Sequence, residues 1–289
     1  MTRPDDVLTL KAEGAEVFIP DGSPSEVAIR RTTHLGICAH QDDLEIMAYH
    51  GILECFQRND RWFTGVTVTN GSGSARDLEY KNYTDAQMVD VRRREQKKAA
   101  YVGEFSSMLL LNHKSASVKD PKNADVAADL DALFSVAQPE VVYTHNLADK
   151  HDTHVAVALR VLAALRRLPE ARRPRKVIGC EVWRDLDWLC DSDKVVMAVD
   201  GHSNLGDALM GVFDSQICGG KRYDLAARGR RLANATFFES HLVDKNQALI
   251  WGIDLTPLVH DASRDPFAFV KQHIDRFAEE VSARVAKLS

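Results

Sequence analysis

The chain has 289 residues, of which 45% are hydrophobic and 27% are charged, and its formal net charge at pH 7 is −5. This size allows one large buried core, and the acidic balance argues against a general nucleic-acid binder. The five cysteines are scattered without a Cys-x-x-Cys pair, which disfavours a thiolate zinc site or a disulfide framework and suits a reducing compartment. Residues 1–20 lack an apolar signal core, and no apolar run approaches membrane-spanning length. We therefore expect a cytoplasmic protein that binds neither nucleic acid nor a membrane.

The chain divides into three predicted segments. Residues 1–30 are expected to be an N-terminal extension packed on the core, with short strands at Val7–Leu10 and Glu16–Pro20. Residues 31–250 form the predicted central domain. Residues 251–289 form a C-terminal segment, in which Pro266–Leu288 has the apolar spacing of an amphipathic helix. Such a helix docks on the body of the protein or on a second subunit, so a homo-oligomer is possible.

Predicted strands and helices alternate through the central domain. The pattern predicts strands at Leu35–Ala39, Trp62–Thr69, Ser107–Leu111, Glu140–Thr144, Lys176–Trp183, Trp188–Leu189 and Lys194–Val199. It predicts helices from residue 46 to 53 and over 84–102, 125–137, 155–165, 203–217 and 221–237, with a polar loop over 112–122. This alternation predicts an α/β fold with a parallel, doubly wound sheet flanked by helices.

Polar side chains cluster where the first predicted strand of the central domain passes into a helix. His40, Asp42, Asp43 and Glu45 lie at this junction. In an open α/β sheet, ligands bind outside the carboxyl ends of the strands. Carboxylates and an imidazole there can hold a metal ion or act as a base. Acidic residues at an ordinary helix N-terminus would give the same carboxylates, so this cluster alone leaves both interpretations open.

A second polar stretch follows the strand predicted at residues 140–144. His151 and His154 are three residues apart, which places both imidazoles on one face of a helix start, and His145 lies at the strand end. A catalytic zinc ion needs three protein ligands and an open position for water. Two histidines and one carboxylate from the two junctions would meet that need. The paired junctions therefore predict a metal site, for zinc by ligand type, although iron or cobalt accepts similar ligands.

Four stretches of the chain resemble motifs of the PIG-L/LmbE-like zinc-dependent N-deacetylases. Ala39–Asp43 resembles the family motif AHPDD, and His151–Val157 resembles HPDHxAV. The run Arg92–Glu95 is similar to the family RxxE helix, and Ser215–Gln216 is weakly similar to its HxSQ segment. The resemblance covers roughly residues 33–240. It implies a Rossmann-like, mostly parallel sheet and hydrolysis of an N-acetyl group on an amino sugar such as N-acetylglucosamine.

The resemblance also implies a role for each matching residue. His40, Asp43 and His154 match the zinc ligands, Asp42 matches the general base, His151 matches the histidine that stabilises the oxyanion and protonates the leaving amine, and Arg92 matches a substrate-binding arginine. The expected cofactor is therefore Zn²⁺, and the expected partner is a small-molecule amino-sugar substrate. An imidazolium at the oxyanion position would lower the barrier by electrostatic stabilisation.

The chain also departs from the family pattern. Gln41 replaces the family proline, Asp152–Thr153 replaces Pro-Asp, and Phe213 stands where the HxSQ histidine would fall. The second change removes an aspartate that could orient His154, a role open to Asp149 or Asp152. These departures concern the pocket wall more than the metal.

Three other functions are alternatives to an amino-sugar deacetylase. The same site could act on a natural-product or thiol-conjugate intermediate. The chain could also be a non-catalytic metal- or sugar-binding protein that kept the site. A nucleotide-binding Rossmann protein is disfavoured, because no GxGxxG motif follows the first strand of the central domain.

Overall fold

The computed structural model of the protein describes residues 8–289. Across these residues, eight β-strands form one mostly parallel sheet flanked by twelve α-helices, which confirms the predicted α/β fold. The strands are β1 (Glu16–Phe18), β2 (His34–Cys38), β3 (Phe63–Thr69), β4 (Ser107–His113), β5 (Val141–His145), β6 (Lys176–Cys180), β7 (Lys194–Ala198) and β8 (Leu249–Asp254). The helices are α1 (Ser25–Arg30), α2 (Asp43–Met47), α3 (Tyr49–Cys55), α4 (Asp85–Val102), α5 (Ser115–Lys119), α6 (Asp125–Val136), α7 (Asp152–Arg167), α8 (Ser203–Gly211), α9 (Asp214–Ile217), α10 (Tyr223–Phe237), α11 (Thr256–His260) and α12 (Pro266–Leu288).

Several local expectations were wrong. Val7 lies outside the described residues, and residues 8–10 do not form a strand. The predicted loop over residues 112–122 contains α5. Leu189 is buried but packs into the core from an irregular segment, so the strand expected at residues 188–189 does not form. The pattern also does not predict β8, because periodicity alone cannot assign a short apolar run between polar loops.

The strand order gives the sheet a crossing point beside β2, where the chain changes from one side of β2 to the other. The strands lie in the order β1-β4-β3-β2-β5-β6-β8-β7. From β2 the chain moves outward to β3 and β4, and it then returns to the other side of β2 to form β5. Such a reversal leaves a crevice outside the carboxyl ends of the two central strands, where ligands bind in open α/β sheets. The loops after β2 and β5 therefore meet at this crevice.

Two glycines on neighbouring strands make room for the helix that follows β2. Gly36 and Gly65 are directly paired, and a Cβ atom added at either would lie 2.7 Å from a methyl group of Leu44. Leu44 is fully buried in the first turn of α2. Because its side chain rests on these glycines, α2 packs closely on the sheet, and this packing fixes the position of Asp43, the preceding residue.

We expect Gly36→Ala to lower the free energy of unfolding by about 1–3 kcal/mol, because the added methyl group would overpack the contact with Leu44. The same Cβ would also lie 2.8 Å from Phe63 Cζ. Gly229→Ala is the matched control, since nothing lies within 4 Å of its added Cβ and alanine favours the interior of α10. Urea unfolding followed by circular dichroism measures both variants. Equal stability of Gly36→Ala and the native protein would contradict this packing.

Both ends of the described chain join the sheet. Strand β1 pairs antiparallel with β4, so the predicted N-terminal extension supplies one edge strand. Strand β8 inserts antiparallel between β6 and β7, and it spans position 250, where the central domain was expected to end. The C-terminal segment thus shares the sheet through β8 and ends in α12. None of the helices within residues 8–289 combines the length and apolar character needed to cross a bilayer.

Candidate metal centre

Two loops at the crossing point bring the predicted ligands together. The loop after β2 carries His40 and leads into Asp43, the first residue of α2, while His154 lies in the first turn of α7, after β5. The backbone N–H of His40 donates a hydrogen bond of 2.7 Å to Asp43 Oδ2, which folds the first loop into a compact turn. Asp43 and His154 are buried, and His40 is partly exposed.

Three side-chain atoms from these loops form a nearly regular triangle, which we call the ligand triangle. His40 Nδ1 lies 3.4 Å from Asp43 Oδ2 and 3.2 Å from His154 Nε2. The third side, from His154 Nε2 to Asp43 Oδ2, is 3.4 Å long. Ligand atoms about 2.0–2.1 Å from a tetrahedral zinc ion are about 3.3 Å apart. The donor types and the spacing of the ligand triangle therefore fit three ligands of such an ion.

The charges around the ligand triangle favour a bound cation. Burial would raise the pKa of Asp43, but the neighbouring imidazoles of His154, His145 and His40 hold that pKa well below its usual range. Burial likewise acts to lower the pKa of His154, but Asp43 and Asp149 outweigh burial and raise it. Asp43 is therefore an anion whose negative charge favours protonation of the neighbouring imidazole nitrogens. A divalent ion bound between these side chains would supply positive charge in place of that proton.

Hydrogen bonds at two further histidines argue against them as ligands, although both lie in groups of potential ligand atoms within 4.8 Å of one another. His145 Nε2 accepts the backbone N–H of Ala39 at 2.9 Å, so its lone pair is already used. His151 Nδ1 accepts the backbone N–H of Thr153 at 3.3 Å. A neutral His151 ring then carries its proton on Nε2, and a protonated nitrogen cannot coordinate a metal ion. His40 and His154 are not restricted in this way.

Asp149 occupies the orienting position for which the sequence offered two candidates. Its Oδ2 lies 3.5 Å from His154 Nδ1. The carboxylate itself is held in place, because its oxygens accept the backbone N–H groups of His151 and Trp183 at 2.9 and 3.2 Å. Asp152, the other candidate, is exposed in the first turn of α7. A carboxylate behind a metal-binding histidine fixes the orientation and tautomer of the ring.

Asp149→Asn is expected to weaken zinc affinity about 10–100-fold, because an amide would support the His154 ring less well than a carboxylate. Asp152→Asn removes the same charge three residues further along the chain, in the first turn of α7, and should leave the affinity unchanged. Competition with a chromophoric chelator measures the affinity of both variants. Equal affinities in the two variants would show that Asp149 does not support the metal site.

Asp42 lines the same cavity as the ligand triangle and is held by a buried arginine. Asp42 Oδ2 lies 3.4 Å from Arg92 Nη2, and the same guanidinium donates a hydrogen bond to the backbone oxygen of Gln41. Arg92 is 1% exposed, so it is the buried one of the three consecutive arginines at positions 92–94 of α4. Arg92 also lines the cavity, where a substrate can meet it. Its hydrogen bonds in the structure are made to Asp42 and to the backbone of Gln41, so they position Asp42. The φ of Asp42 is 87°, a left-handed conformation that Asp and Asn tolerate better than most residues.

The pKa values of Asp42 and His151 suit two different tasks. Burial raises the pKa of Asp42 to about 7, although the adjacent Arg92 acts in the opposite direction. A carboxylate of this pKa is well matched to accepting a proton near neutral pH. Burial, together with His154 and His40, lowers the pKa of His151. His151 is therefore a neutral donor of one N–H at pH 7, where the sequence analysis expected an imidazolium.

Comparison with known proteins finds a family model that matches the part of the chain containing these residues. Residues 35–165 match the model of the PIG-L family, described as GlcNAc-PI de-N-acetylase. The resemblance to the PIG-L family is confirmed. The matched segment contains all six residues for which the sequence analysis expected a role in the site. No curated protein matches the chain.

Three solved structures illustrate the shared fold. The conserved protein TT1542 from Thermus thermophilus is 14% identical, with a TM-score of 0.61 over 81% of this chain and 99% of its own. GalB, the 4-carboxy-2-hydroxymuconate hydratase from Pseudomonas putida, is 19% identical, with a TM-score of 0.55 over 77% and 95%. The N,N'-diacetylchitobiose deacetylase from Pyrococcus horikoshii is 13% identical, with a TM-score of 0.55 over 76% and 83%. At these identities the similarity shows the fold alone.

A cavity of about 340 Å³ borders the candidate site residues of the matched segment. Besides His40, Asp42, Asp43, Arg92 and His151, its lining includes side chains that lie beyond the matched segment. Trp183 and Tyr223 form an aromatic wall, with ring centroids 6.1 Å apart and planes at 89°. Lys221 Nζ lies 4.9 Å from the centroid of the Trp183 ring. Sequence reasoning missed these wall residues, because Trp183 and Lys221 lie in loops without a recognisable motif and Tyr223 begins α10 outside any motif.

The segment that resembles HxSQ reaches the cavity through its glutamine. Phe213 is 1% exposed and packs in the core, whereas Gln216 lines the cavity. Ser215 anchors the segment, since its backbone N–H and its hydroxyl each donate a hydrogen bond of 2.7 Å to Glu95. Phe213 thus contributes to packing, and what remains of the resemblance to HxSQ is the contact of Ser215 with Glu95 and the side chain of Gln216 at the cavity wall.

Proposed function

We propose that this protein is a zinc-dependent hydrolase that removes an N-acyl group, in the simplest case acetyl, from an amino-sugar-containing small molecule. The observation that carries the proposal is the ligand triangle, with Asp42 and His151 in the same cavity. The PIG-L match and the similar fold of a chitobiose deacetylase support amide hydrolysis.

The residues around the cavity have different roles in the proposed amide hydrolysis. Zinc bound to His40, Asp43 and His154 would polarise the amide carbonyl and lower the pKa of a bound water to about 7. Asp42, held by Arg92, accepts the proton of the attacking water as its oxygen bonds to the carbonyl carbon. His151 offers its Nε2–H to the oxygen that gains negative charge. As the C–N bond breaks, the proton that Asp42 took from the water passes to the departing amine, because a neutral His151 ring that gave up its only N–H proton would become an imidazolate.

The fold alone does not determine the reaction, because the similar GalB structure is that of a hydratase. The two remaining alternatives differ from the proposal in substrate or in turnover. A deacetylase of natural-product or thiol-conjugate intermediates would use the same residues on a larger amide. A non-catalytic binding protein would keep the metal and hydrolyse nothing.

Substrate screening of the zinc-loaded protein separates these functions. We expect release of acetate and a primary amine from N-acetylglucosamine or N,N'-diacetylchitobiose, with loss of turnover on chelation and recovery on adding zinc. Turnover restricted to N-acetylglucosaminyl conjugates would favour the natural-product alternative. Zinc binding without hydrolysis of any of these amides would contradict the proposed reaction and favour the binding protein.

A further inference from the structure

Two lysines line the cavity without a carboxylate partner. Lys119 ends α5 and Lys221 precedes α10, so they reach the cavity from separate elements. Among residues 8–289, neither ammonium group lies within 4.0 Å of a carboxylate. Arg92, the other cation of the lining, is already engaged with Asp42. The two lysines therefore remain available to a group that enters from solvent.

The charge of the cavity lining opposes that of the whole chain. By formal charge, with histidines counted as uncharged, the lining carries the two free lysines and Arg92 against Asp42 and Asp43, which gives a formal charge of +1. The whole chain carries a formal charge of −5. A bound divalent ion would add two further positive charges to the cavity. An excess of positive charge in a cleft raises the local concentration of anions, so the cavity favours an anionic ligand.

The aromatic wall keeps one of the lysines at the cavity. Lys221 Nζ lies 4.9 Å from the ring centroid of Trp183, within the range of a cation–π contact. Tyr223 packs edge-on against the same tryptophan. These contacts hold the ammonium group beside a flat apolar surface. A sugar ring against Trp183 would therefore bring its substituents near Lys221.

We propose that Lys119 and Lys221 form a subsite for an anionic substituent of the substrate, either a phosphate or a carboxylate. This inference rests on the proposed function, because it places the acyl group at the ligand triangle and the anion at the lysines. Lysine binds both kinds of anion as a point charge with three N–H donors. The substrate is then an N-acylated amino sugar that carries a negative charge outside the amide.

Calorimetry with the zinc-loaded protein tests the subsite by binding as well as by turnover. The probes are N-acetylglucosamine, its 1-phosphate and N-acetylmuramic acid, which supply a neutral sugar, a phosphate and a carboxylate. We expect either or both anionic sugars to bind at least about fivefold more tightly than the neutral sugar at low salt. The double variant Lys119→Gln/Lys221→Gln should abolish that preference. Lys114→Gln/Lys245→Gln, which removes two exposed lysines outside the cavity lining, should keep it.

The outcomes distinguish failure of the subsite from failure of the proposed function. Preference for the phosphate alone or the carboxylate alone, lost in the Lys119/Lys221 variant, supports the subsite and identifies the anion. Preference without hydrolysis of any probe leaves the subsite supported and contradicts the hydrolase. Equal affinity for all three probes, including no binding of any, overturns the subsite. An anion preference that survives in the double variant also overturns it, because the ion would then bind elsewhere, for example at the metal.

Discussion

Asp42→Asn is expected to lower kcat about 10²–10⁴-fold while the zinc content stays unchanged, because an amide cannot accept the proton of the attacking water. Asparagine is the appropriate replacement, since it tolerates the left-handed φ of 87° better than alanine and keeps a polar oxygen near Arg92. Steady-state kinetics on the best substrate from the screen, with metal analysis of the same sample, measures the effect. We expect kcat and kcat/KM to fall together, as they do when an interaction of the transition state is lost.

Asp43→Asn is the informative comparison for this variant. Asp43 belongs to the ligand triangle, so its replacement should reduce the zinc content itself. The two adjacent aspartates are therefore predicted to behave differently. Asp42→Asn should lose catalysis and keep zinc, whereas Asp43→Asn should lose zinc. Full activity of Asp42→Asn would show that Asp42 is not the base. Loss of zinc from this variant would show that Asp42 is a metal ligand instead.

His151→Asn should lower kcat about 10²–10³-fold, because the N–H that stabilises the oxyanion is removed. Asparagine is preferred over alanine because the ring of His151 also caps α7 by accepting the backbone N–H of Thr153. An asparagine oxygen can replace that cap, so the free energy of unfolding should change little. Kinetics and thermal melting on the same preparation separate the two effects.

The zinc content of His151→Asn distinguishes the proposed role from metal binding. In the structure, the hydrogen bond at Nδ1 leaves the proton of the neutral His151 ring on Nε2. We therefore expect this variant to bind zinc as the native protein does. Loss of zinc would mean that His151 replaces one of the assigned ligands, and activity equal to that of the native protein would remove it from the mechanism.

The proximity of the two histidine-containing loops could be predicted from the sequence. Polar stretches at two strand-to-helix junctions lie at the same edge of a parallel sheet, and the pairing of β2 with β5 brings His40 near His154. The inward-facing arginine could also be anticipated, because Arg92 lies one turn before Glu95 on the same helix face. These features follow from local spacing and strand direction.

The remaining features depend on contacts that spacing does not encode. The hydrogen bond from Ala39 to His145 determines which histidine nitrogen is available, and it joins residues 106 positions apart. The choice of Asp149 over Asp152 depends on a loop conformation fixed by backbone N–H groups. Trp183 and Lys221 meet across the cavity from loops without a motif. Periodicity reports which face of an element is apolar, and it carries no information about such pairings.

The central claim is that the ligand triangle holds one metal ion, and metal analysis of purified protein tests it most directly. The native protein, His154→Ala and His151→Asn would be purified without added metal, dialysed against a zinc buffer and analysed by mass spectrometry. We predict about one zinc ion per chain in the native protein and in His151→Asn, and a large loss in His154→Ala. Negligible zinc in the native protein after exposure to the buffer, or full retention in a folded His154→Ala variant, would contradict the claim.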